Sequence, residues 1–219
     1  MSKTHIYFVP GLAANPSIYE YLSLPEDQFE LHFLEWQLPL ALNESISNYA
    51  HRMSEFVKHK NSVLVGVSFG GIIVQEMSKF IDTKKIIIIS SIKSNKELPK
   101  RLKFVKKTNA FKLFPTRIIT NLEEYTKFFF TDFLKKRAET YKKYLSVRNP
   151  IYIQWAIYNV LHWQQKKPLE NITHIHGTED SVFPIKHIKN CIKVKGGTHV
   201  VILTKAKKIS KIIEETLTD

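Results

Sequence analysis

The stretch that decides the fold of this chain reads Val63-Leu64-Val65-Gly66-Val67-Ser68-Phe69-Gly70-Gly71-Ile72-Ile73-Val74. A short β-branched run leads into the pattern G-x-S-x-G, and an apolar, helix-like segment follows. On a sharp strand-to-helix turn, the hydroxyl of Ser68 is pushed out of the sheet to where a base can reach it. Such a turn is strained, so Gly66 and Gly70 are expected to let neighbouring backbone come close. The helix that begins after Ser68 directs its free N–H groups at the same point, which favours a developing oxyanion.

The pentapeptide alone is equally compatible with an ordinary serine on a glycine-rich turn, and the rest of the chain separates the two alternatives. A strand-like run ends at Gly177, and the carboxylates Glu179 and Asp180 follow it. Further along, a glycine-flanked loop before the last helix carries His199. The chain therefore has a serine, an acid and a histidine in the order used by one class of serine enzymes.

With these motifs the chain resembles the α/β-hydrolase family. The matching pieces are GVSFGG around Ser68, HGTED and SVFP around Asp180, and GGTH around His199. A fourth piece, IYFVPGLAA at residues 6–14, lies where the family places its oxyanion loop. The resemblance covers the whole chain except a middle insertion, and it is closest to compact serine esterases and lipases with a helical cap.

The resemblance implies a catalytic triad. Ser68 would be the nucleophile, His199 the base that takes its proton, and Asp180 the acid that orients the imidazole. Glu179 is the rival acid, and Asp180 is preferred because it matches the family spacing after His176-Gly177. The first oxyanion donor would be the backbone N–H of Phe69, directly after the nucleophile.

The second oxyanion donor is where the chain departs from the family. The family commonly has His-Gly where this chain has Pro10-Gly11. Because proline has no N–H, the second donor is expected from Leu12 or Ala13, with Leu12 preferred.

The implied reaction is hydrolysis of a carboxylic ester or thioester through an acyl-enzyme intermediate, with no diffusible cofactor. Fold alone does not determine chemistry, so other reactions and roles stay open. These alternatives are a carbon–carbon hydrolase, an acyltransferase, and a ligand-binding protein that has kept the fold without catalysis.

Alternation of strand-like and helix-like segments predicts an α/β fold: a mostly parallel, doubly wound sheet of about six strands with helices on both faces. A helical cap is expected after the fourth strand. The strands are expected near 4–9, 29–35, 62–67, 85–90, 172–176 and 191–195, and the main helices near 44–59, 69–81 and 200–217, with a short helix from Pro16.

Charge divides the chain into a predicted core, residues 1–92 and 168–219, and a predicted helical, basic cap, residues 93–167. The cap holds 18 of the 33 Lys and Arg and 5 of the 20 Asp and Glu, so it carries the whole net charge of +13. The excess is compatible with a solvated surface, or with attraction of anionic or lipid-like substrates and transient contact with an anionic membrane surface. Nucleic acid is not expected as a partner, because no nucleic-acid fold signature accompanies the charge.

Four aromatic residues are candidates for lining the substrate pocket. Trp36 follows a predicted strand and would lie at the pocket floor, while Phe129, Trp155 and Trp163 belong to the predicted cap. Core packing is the alternative for each of them, because large aromatic side chains dominate protein cores.

Composition limits the remaining classes of function. No run of about 18 apolar residues is present and no leader precedes the first strand, so a cytoplasmic protein without a membrane span is expected. The single cysteine, Cys191, allows no internal disulfide and is expected to be a buried small hydrophobe. The nine histidines are scattered. His174 and His176 have no adjacent third ligand, so no metal site is expected.

Overall fold

The computed structural model of the chain describes residues 3–109 and 143–218. In these residues six strands occur: β1 (Thr4–Val9), β2 (Phe29–Phe33), β3 (Ser62–Val67), β4 (Thr83–Ile89), β5 (Ile172–Gly177) and β6 (Ile192–Val194). They form one sheet in the order β2-β1-β3-β4-β5-β6, and every neighbouring pair is parallel. The prediction of a parallel sheet of about six strands is confirmed.

The α-helices in the described residues are α1 (Ile46–Ser54), α2 (Phe69–Met77), α3 (Lys100–Thr108), α4 (Pro150–His162), α5 (Val201–Thr204) and α6 (Ala206–Thr218). Short 3₁₀ helices cover Pro16–Tyr19, Asn95–Glu97 and Ile185–His187. The last helix was expected to be continuous from 200 to 217. It is instead broken at Lys205, whose φ of −133° lies outside the helical region.

Alternate residues of the central strands enter two different hydrophobic cores. On β1, Tyr7 and Val9 pack on the face covered by α1, α2 and α4, whereas Ile6 and Phe8 pack on the face covered by α5 and α6. Because both faces are buried, the strands read as continuous apolar runs, as at Ile86–Ile89. In sheets of this kind, ligands bind beyond the carboxyl ends of the strands, on the loops that follow them.

The segment between β4 and β5 contributes α3 and α4 to the described residues. Helix α4 packs into the core beside α2 through Tyr152 and Trp155, which are fully buried. Helix α3 buries no residue. The prediction that residues 93–167 form a cap remains a prediction, because residues 110–142 lie outside the described part of the chain.

Two cations of this segment donate to backbone carbonyls. Lys93 is buried, and its Nζ donates to the carbonyl oxygens of Lys189 and Asn190. The guanidinium of Arg101 on α3 donates to the carbonyl oxygens of Ser181 and Val182. These two side chains therefore join the segment to the loops after β5, one of them from a buried position and the other from the surface.

Among the described residues, none of the helices has the length and apolar character that crossing a membrane would require.

The crossing of α2 over β1 and β3 depends on glycine. A Cβ at Gly66 would lie 2.3 Å from the carbonyl oxygen of Gly70, and a Cβ at Gly70 would lie 2.3 Å from the carbonyl oxygens of Val9 and Pro10. The atoms that such a Cβ would meet belong to the backbone, which cannot move aside as the end of a flexible side chain can. The expected close backbone approach at these two glycines is therefore present in the structure.

We predict that Gly70→Ala lowers the free energy of unfolding by about 1–3 kcal/mol, because the added methyl group forces α2 away from β1. Urea unfolding of the purified variant measures the change. Gly11→Ala is the matched control, since its Cβ would meet no heavy atom nearer than 3.7 Å. Equal stability of Gly70→Ala and the wild-type protein would contradict the tight crossing.

Candidate active site

Ser68 lies on the turn between β3 and α2 in a strained backbone conformation. Its φ is 53° and its ψ is −117°, a region that residues with side chains rarely adopt. Hydrogen bonds hold both backbone polar groups of Ser68 in this conformation. Its N–H donates to the carbonyl of Ile89 at 2.9 Å, and its carbonyl accepts from the Ser91 hydroxyl at 2.6 Å. The Ser68 hydroxyl is thereby presented at the carboxyl edge of the sheet.

The loops after β5 and β6 pack directly on each other. A Cβ at Gly177 would lie 2.2 Å from the carbonyl oxygen of Gly197, so glycine is needed where the loops meet. The N–H of Glu179 donates to the same Gly197 carbonyl at 2.8 Å, and the N–H of Gly196 donates to the Thr178 hydroxyl at 2.9 Å. This contact sets the loop that carries His199 against the loop that carries Asp180.

The three side chains named from the sequence form one chain of hydrogen bonds. His199 Nε2 lies 2.9 Å from Ser68 Oγ, and His199 Nδ1 lies 2.9 Å from Asp180 Oδ2. Because an ionised carboxylate only accepts, Nδ1 carries the proton and Nε2 accepts from the serine hydroxyl. Asp180 is buried and bonded to the histidine, whereas Glu179 is exposed.

The environment of Asp180 favours its ionised form. Burial alone raises the pKa of this carboxyl group. The adjacent imidazole of His199, together with His176 and the N–H of Phe183, outweighs burial and lowers the pKa below its ordinary value. Oδ1 accepts from the N–H groups of Val182 at 2.8 Å and Phe183 at 2.9 Å, which also fixes the orientation of the carboxylate.

The loop after β1 lies beside the serine. A Cβ built on Gly11 would lie 3.7 Å from the Cβ of Ser68. The loop is folded by a turn in which the N–H of Ala14 donates to the Gly11 carbonyl at 3.0 Å, with Ala13 at a φ of 62°. Residues after the undescribed stretch support this turn, since the N–H of Val147 donates to the Ala13 carbonyl at 3.0 Å. Phe69 follows Ser68 in the chain, and Leu12 follows Gly11; their roles as oxyanion donors stay predictions.

Solved structures with the same architecture are numerous. A bromoperoxidase from Bacillus anthracis matches 100% of this chain and 93% of its own length, with a TM-score of 0.69 and 16% sequence identity. An esterase from Exiguobacterium antarcticum matches 100% of this chain and 93% of its own length, with a TM-score of 0.68 and 15% sequence identity. An alpha/beta hydrolase fold protein from Burkholderia ambifaria matches 98% of this chain and 91% of its own length, with a TM-score of 0.66 and 12% sequence identity. This chain has the α/β-hydrolase fold.

No known family profile matches the sequence, and no curated protein sequence matches it. The likeness is therefore one of α/β-hydrolase architecture at identities between 11% and 16%. At that level the likeness establishes the fold, and the chemistry has to be argued from the residues of this chain.

Trp36 supports the loop of the α/β-hydrolase fold that lies beside Ser68. Its indole Nε1 donates to the Gly11 carbonyl at 3.0 Å, and its ring stacks on Phe69 with centroids 5.4 Å apart. The side chain is half-buried, so it contacts Gly11 and Phe69 while keeping part of its surface exposed. Its role as a pocket residue stays a prediction.

The other predicted pocket aromatics are placed differently. Trp155 is fully buried, donating Nε1 to the Glu44 carbonyl at 2.8 Å, and Trp163 is 2% exposed, donating Nε1 to Glu76 Oε1 at 2.7 Å. Burial of both rings with satisfied N–H groups supports the core alternative for these two residues. Phe129 lies outside the described residues.

Two histidines next to the acid were weighed only as zinc ligands. His174 Nε2 lies 3.0 Å from His176 Nδ1, and His176 Nε2 lies 2.8 Å from the Phe183 carbonyl and 3.5 Å from Asp180 Oδ2. Since the carbonyl accepts, His176 carries its proton on Nε2, and His174 donates to Nδ1. Burial lowers the pKa of both histidines, so neutral rings pack behind Asp180. The spacing of these two histidines at i and i+2 on a predicted strand is the sequence feature that indicates that they share one face of the sheet.

Cys191 is only partly buried and packs against the core, and burial raises the pKa of its thiol. A raised pKa disfavours the thiolate form, which supports the packing role expected from the sequence.

Three of the histidines that are scattered in sequence come together in the fold. His5, His32 and His59 are far apart in sequence, yet one ligand atom of each lies within 4.8 Å of the others. Sequence spacing could not reveal this cluster, because it depends on the pairing of β1 with β2 and on the loop that precedes β3.

Proposed function

We propose that the protein is a serine hydrolase that cleaves a carboxylic ester or thioester through an acyl-enzyme intermediate. The observation that carries the proposal is the continuous hydrogen-bonded series from Asp180 through His199 to Ser68. The strained backbone of Ser68 supports it, because such strain costs of order 1–3 kcal/mol and persists mainly at functional sites. The esterases among the structural neighbours agree with this reaction class.

In the first half of the reaction, Ser68 Oγ attacks the carbonyl carbon of the substrate while His199 Nε2 takes the hydroxyl proton. Asp180 holds Nδ1–H in place and stabilises the imidazolium that forms. The carbonyl oxygen becomes an oxyanion. The backbone N–H groups of Phe69 and Leu12 are the proposed donors to it, aided by the N-terminus of α2.

Collapse of this intermediate breaks the bond to the leaving alcohol or thiol. His199 returns its proton to the departing oxygen or sulfur, which leaves an ester between the acyl group and Ser68 Oγ. A water molecule then repeats the sequence: His199 takes one of its protons, its oxygen attacks the acyl carbon, and Ser68 leaves with the proton restored. The acyl group leaves as a carboxylic acid, and Ser68 and His199 return to their starting protonation states without a cofactor.

A different class of function, a ligand-binding protein that has kept the fold, requires an inert serine. A fluorophosphonate reacts only with an activated serine hydroxyl, so labelling separates an enzyme from a binding protein without knowledge of the substrate.

We predict that a fluorophosphonate probe labels the wild-type protein and not Ser68→Ala or His199→Ala. The same variants should lose ester turnover by roughly 10⁴-fold or more in kcat, and the double variant should be little worse than either single one. Intact-mass spectrometry and turnover of p-nitrophenyl esters of graded chain length, with acyl-CoA thioesters beside them, provide the readouts. Ser78→Ala, at the opposite end of α2 from Ser68, is the labelling control. Wild-type turnover by Ser68→Ala would refute the proposal.

We predict that Asp180→Asn lowers kcat strongly, by roughly 10³- to 10⁴-fold, because an amide at this position destabilises the Nδ1–H tautomer of His199. Glu179→Gln is the matched control and should change kcat less than about threefold, since Glu179 is exposed and makes its hydrogen bond through the backbone. Both values come from the ester assay described above. The reverse pattern would assign the acid to Glu179.

The finer proposal is an anionic or lipid-like substrate attracted by the basic segment 93–167. Support comes from α3, whose exposed Lys100, Lys103 and Lys107 lie on a helix that Arg101 ties to the loop after Asp180. A positive potential near the site would raise the local concentration of an anionic substrate.

We predict a higher kcat/KM for an anionic ester than for a neutral ester of equal acyl length, with an advantage that shrinks as salt rises. Screening limits the field to about 8 Å at physiological ionic strength. Changing Lys100, Lys103 and Lys107 together to Glu should remove the advantage, whereas the same change at the exposed Lys205, Lys207 and Lys208 should not. Equal salt slopes for the two esters would leave the charge without a role in substrate choice.

A further inference from the structure

A cluster of three histidines lies on the face of the sheet covered by α1 and α2, away from the proposed active site. His5 comes from the start of β1, His32 from the edge strand β2, and His59 from the loop between α1 and β3. One nitrogen of each ring lies within 4.8 Å of the others, and His5 Nδ1 and His32 Nε2 are 3.0 Å apart. Three imidazole nitrogens therefore lie close together.

A carboxylate completes the group. Glu30 pairs with His5 across the β1–β2 ladder and precedes His32 by two residues, so all three side chains are on one face of the sheet. Its Oε2 lies 3.7 Å from His5 Nδ1, and its Oε1 lies 3.6 Å from His32 Nε2. The carboxylate thus bridges the two strand histidines on their solvent side.

The separations of these atoms match those of ligands around one metal ion. Zinc binds nitrogen and oxygen at about 2.0–2.2 Å in tetrahedral sites, which places neighbouring ligand atoms roughly 3.3–3.5 Å apart. The observed separations of 3.0, 3.6 and 3.7 Å bracket this value. Three imidazoles and one carboxylate favour a divalent transition metal over Mg²⁺ or Ca²⁺, which prefer all-oxygen sites.

Tyr7 supplies a support for the third histidine. Its ring is buried, and its hydroxyl lies 2.7 Å from His59 Nδ1 while accepting from the N–H of Lys58 at 3.0 Å. If His59 Nδ1 donates to this hydroxyl, Nε2 keeps its lone pair for a metal. Metal-ligating histidines commonly have such an oxygen partner on the second nitrogen, which sets the tautomer and the ring orientation.

One rearrangement is required. The rings of His5 and His59 are stacked at 3.5 Å with planes 3° apart, so their lone pairs run side by side. Coordination of one ion needs each ring plane to point at it. His59 lies in a loop, so a small shift of its backbone can tilt the ring about the Nδ1–Tyr7 contact while the two strand histidines stay in register.

We propose that His5, His32, His59 and Glu30 form a site for one Zn²⁺ ion, which joins the edge strand β2 to β1 and to the loop before β3. The site is independent of the proposed hydrolase. His5 lies six residues before Gly11 along an extended strand, roughly 20 Å from the serine side of the sheet. Zinc here cross-links three segments of the fold and takes no part at Ser68.

The test is a titration of the tag-free, chelator-treated full chain with ZnCl₂ by calorimetry, with CoCl₂ in parallel. We expect one Zn²⁺ per chain and the intense visible absorption of tetrahedral Co²⁺. At free Zn²⁺ a hundredfold above Kd, Tm should rise by roughly 5–10 °C. MgCl₂ at the same concentration should have no effect.

Variants locate the ion. His32→Gln should weaken Zn²⁺ binding at least a hundredfold and abolish the rise in Tm, and Tyr7→Phe should weaken binding about 10- to 100-fold by releasing the His59 ring. His51→Gln, at an exposed histidine of α1, is the matched control and should bind as the wild-type protein does. If the wild-type chain shows no saturable 1:1 binding, the proposal is overturned. A folding defect cannot explain that result, because the wild-type chain carries no substitution. Equal affinities of wild type and a folded His32→Gln would also overturn it.

Discussion

The missing side chains at Gly66 and Gly70 are the constraint on which the rest of the site depends. They allow the backbone of α2 to rest on the ends of β1 and β3, with Cβ positions that would overlap carbonyl oxygens at 2.3 Å. This contact brings the loop around Gly11 beside Ser68 and sets the first turn of α2 at the edge of the sheet. A single methyl group at Gly70 would separate the serine from the loop that has to face the same substrate atom.

A second close contact, between Gly177 and Gly197, brings the other two side chains to the serine. With the loops joined, Asp180 is enclosed by donors: two backbone N–H groups on one oxygen and His199 on the other. Burial would favour a neutral carboxyl group, yet these donors lower its pKa. In a medium of low polarity a fully satisfied group of this kind is rigid, because every alternative orientation leaves a polar atom unpaired.

The two ends of β1 carry different chemistry. Its carboxyl end leads into the loop beside Ser68, whereas its amino end places His5 against His32 and Glu30 on the sheet edge. Central strands of this sheet are apolar on both faces, so polar residues at alternating positions of β1 and β2 are the exception. An edge strand has one side without a partner strand, and a metal ion bound there would hold it to its neighbour.

Sequence alone determined the fold class and the three candidate side chains, since both follow from local chemistry. Alternating strands and helices require a covered parallel sheet, and Ser68, Asp180 and His199 each stand on a glycine turn just past a strand, which their neighbours in sequence reveal. The spacing after His176-Gly177 already favoured Asp180 over Glu179, and only the tertiary structure shows that Asp180 is the one of the two that is buried and bonded to His199. Only the tertiary structure shows that Trp155 and Trp163 are buried and that Lys93 and Arg101 donate to backbone carbonyls. The same holds for the proximity of His5, His32 and His59. Those outcomes depend on strand register and on packing between segments distant in the chain, and no local pattern of residues contains that information.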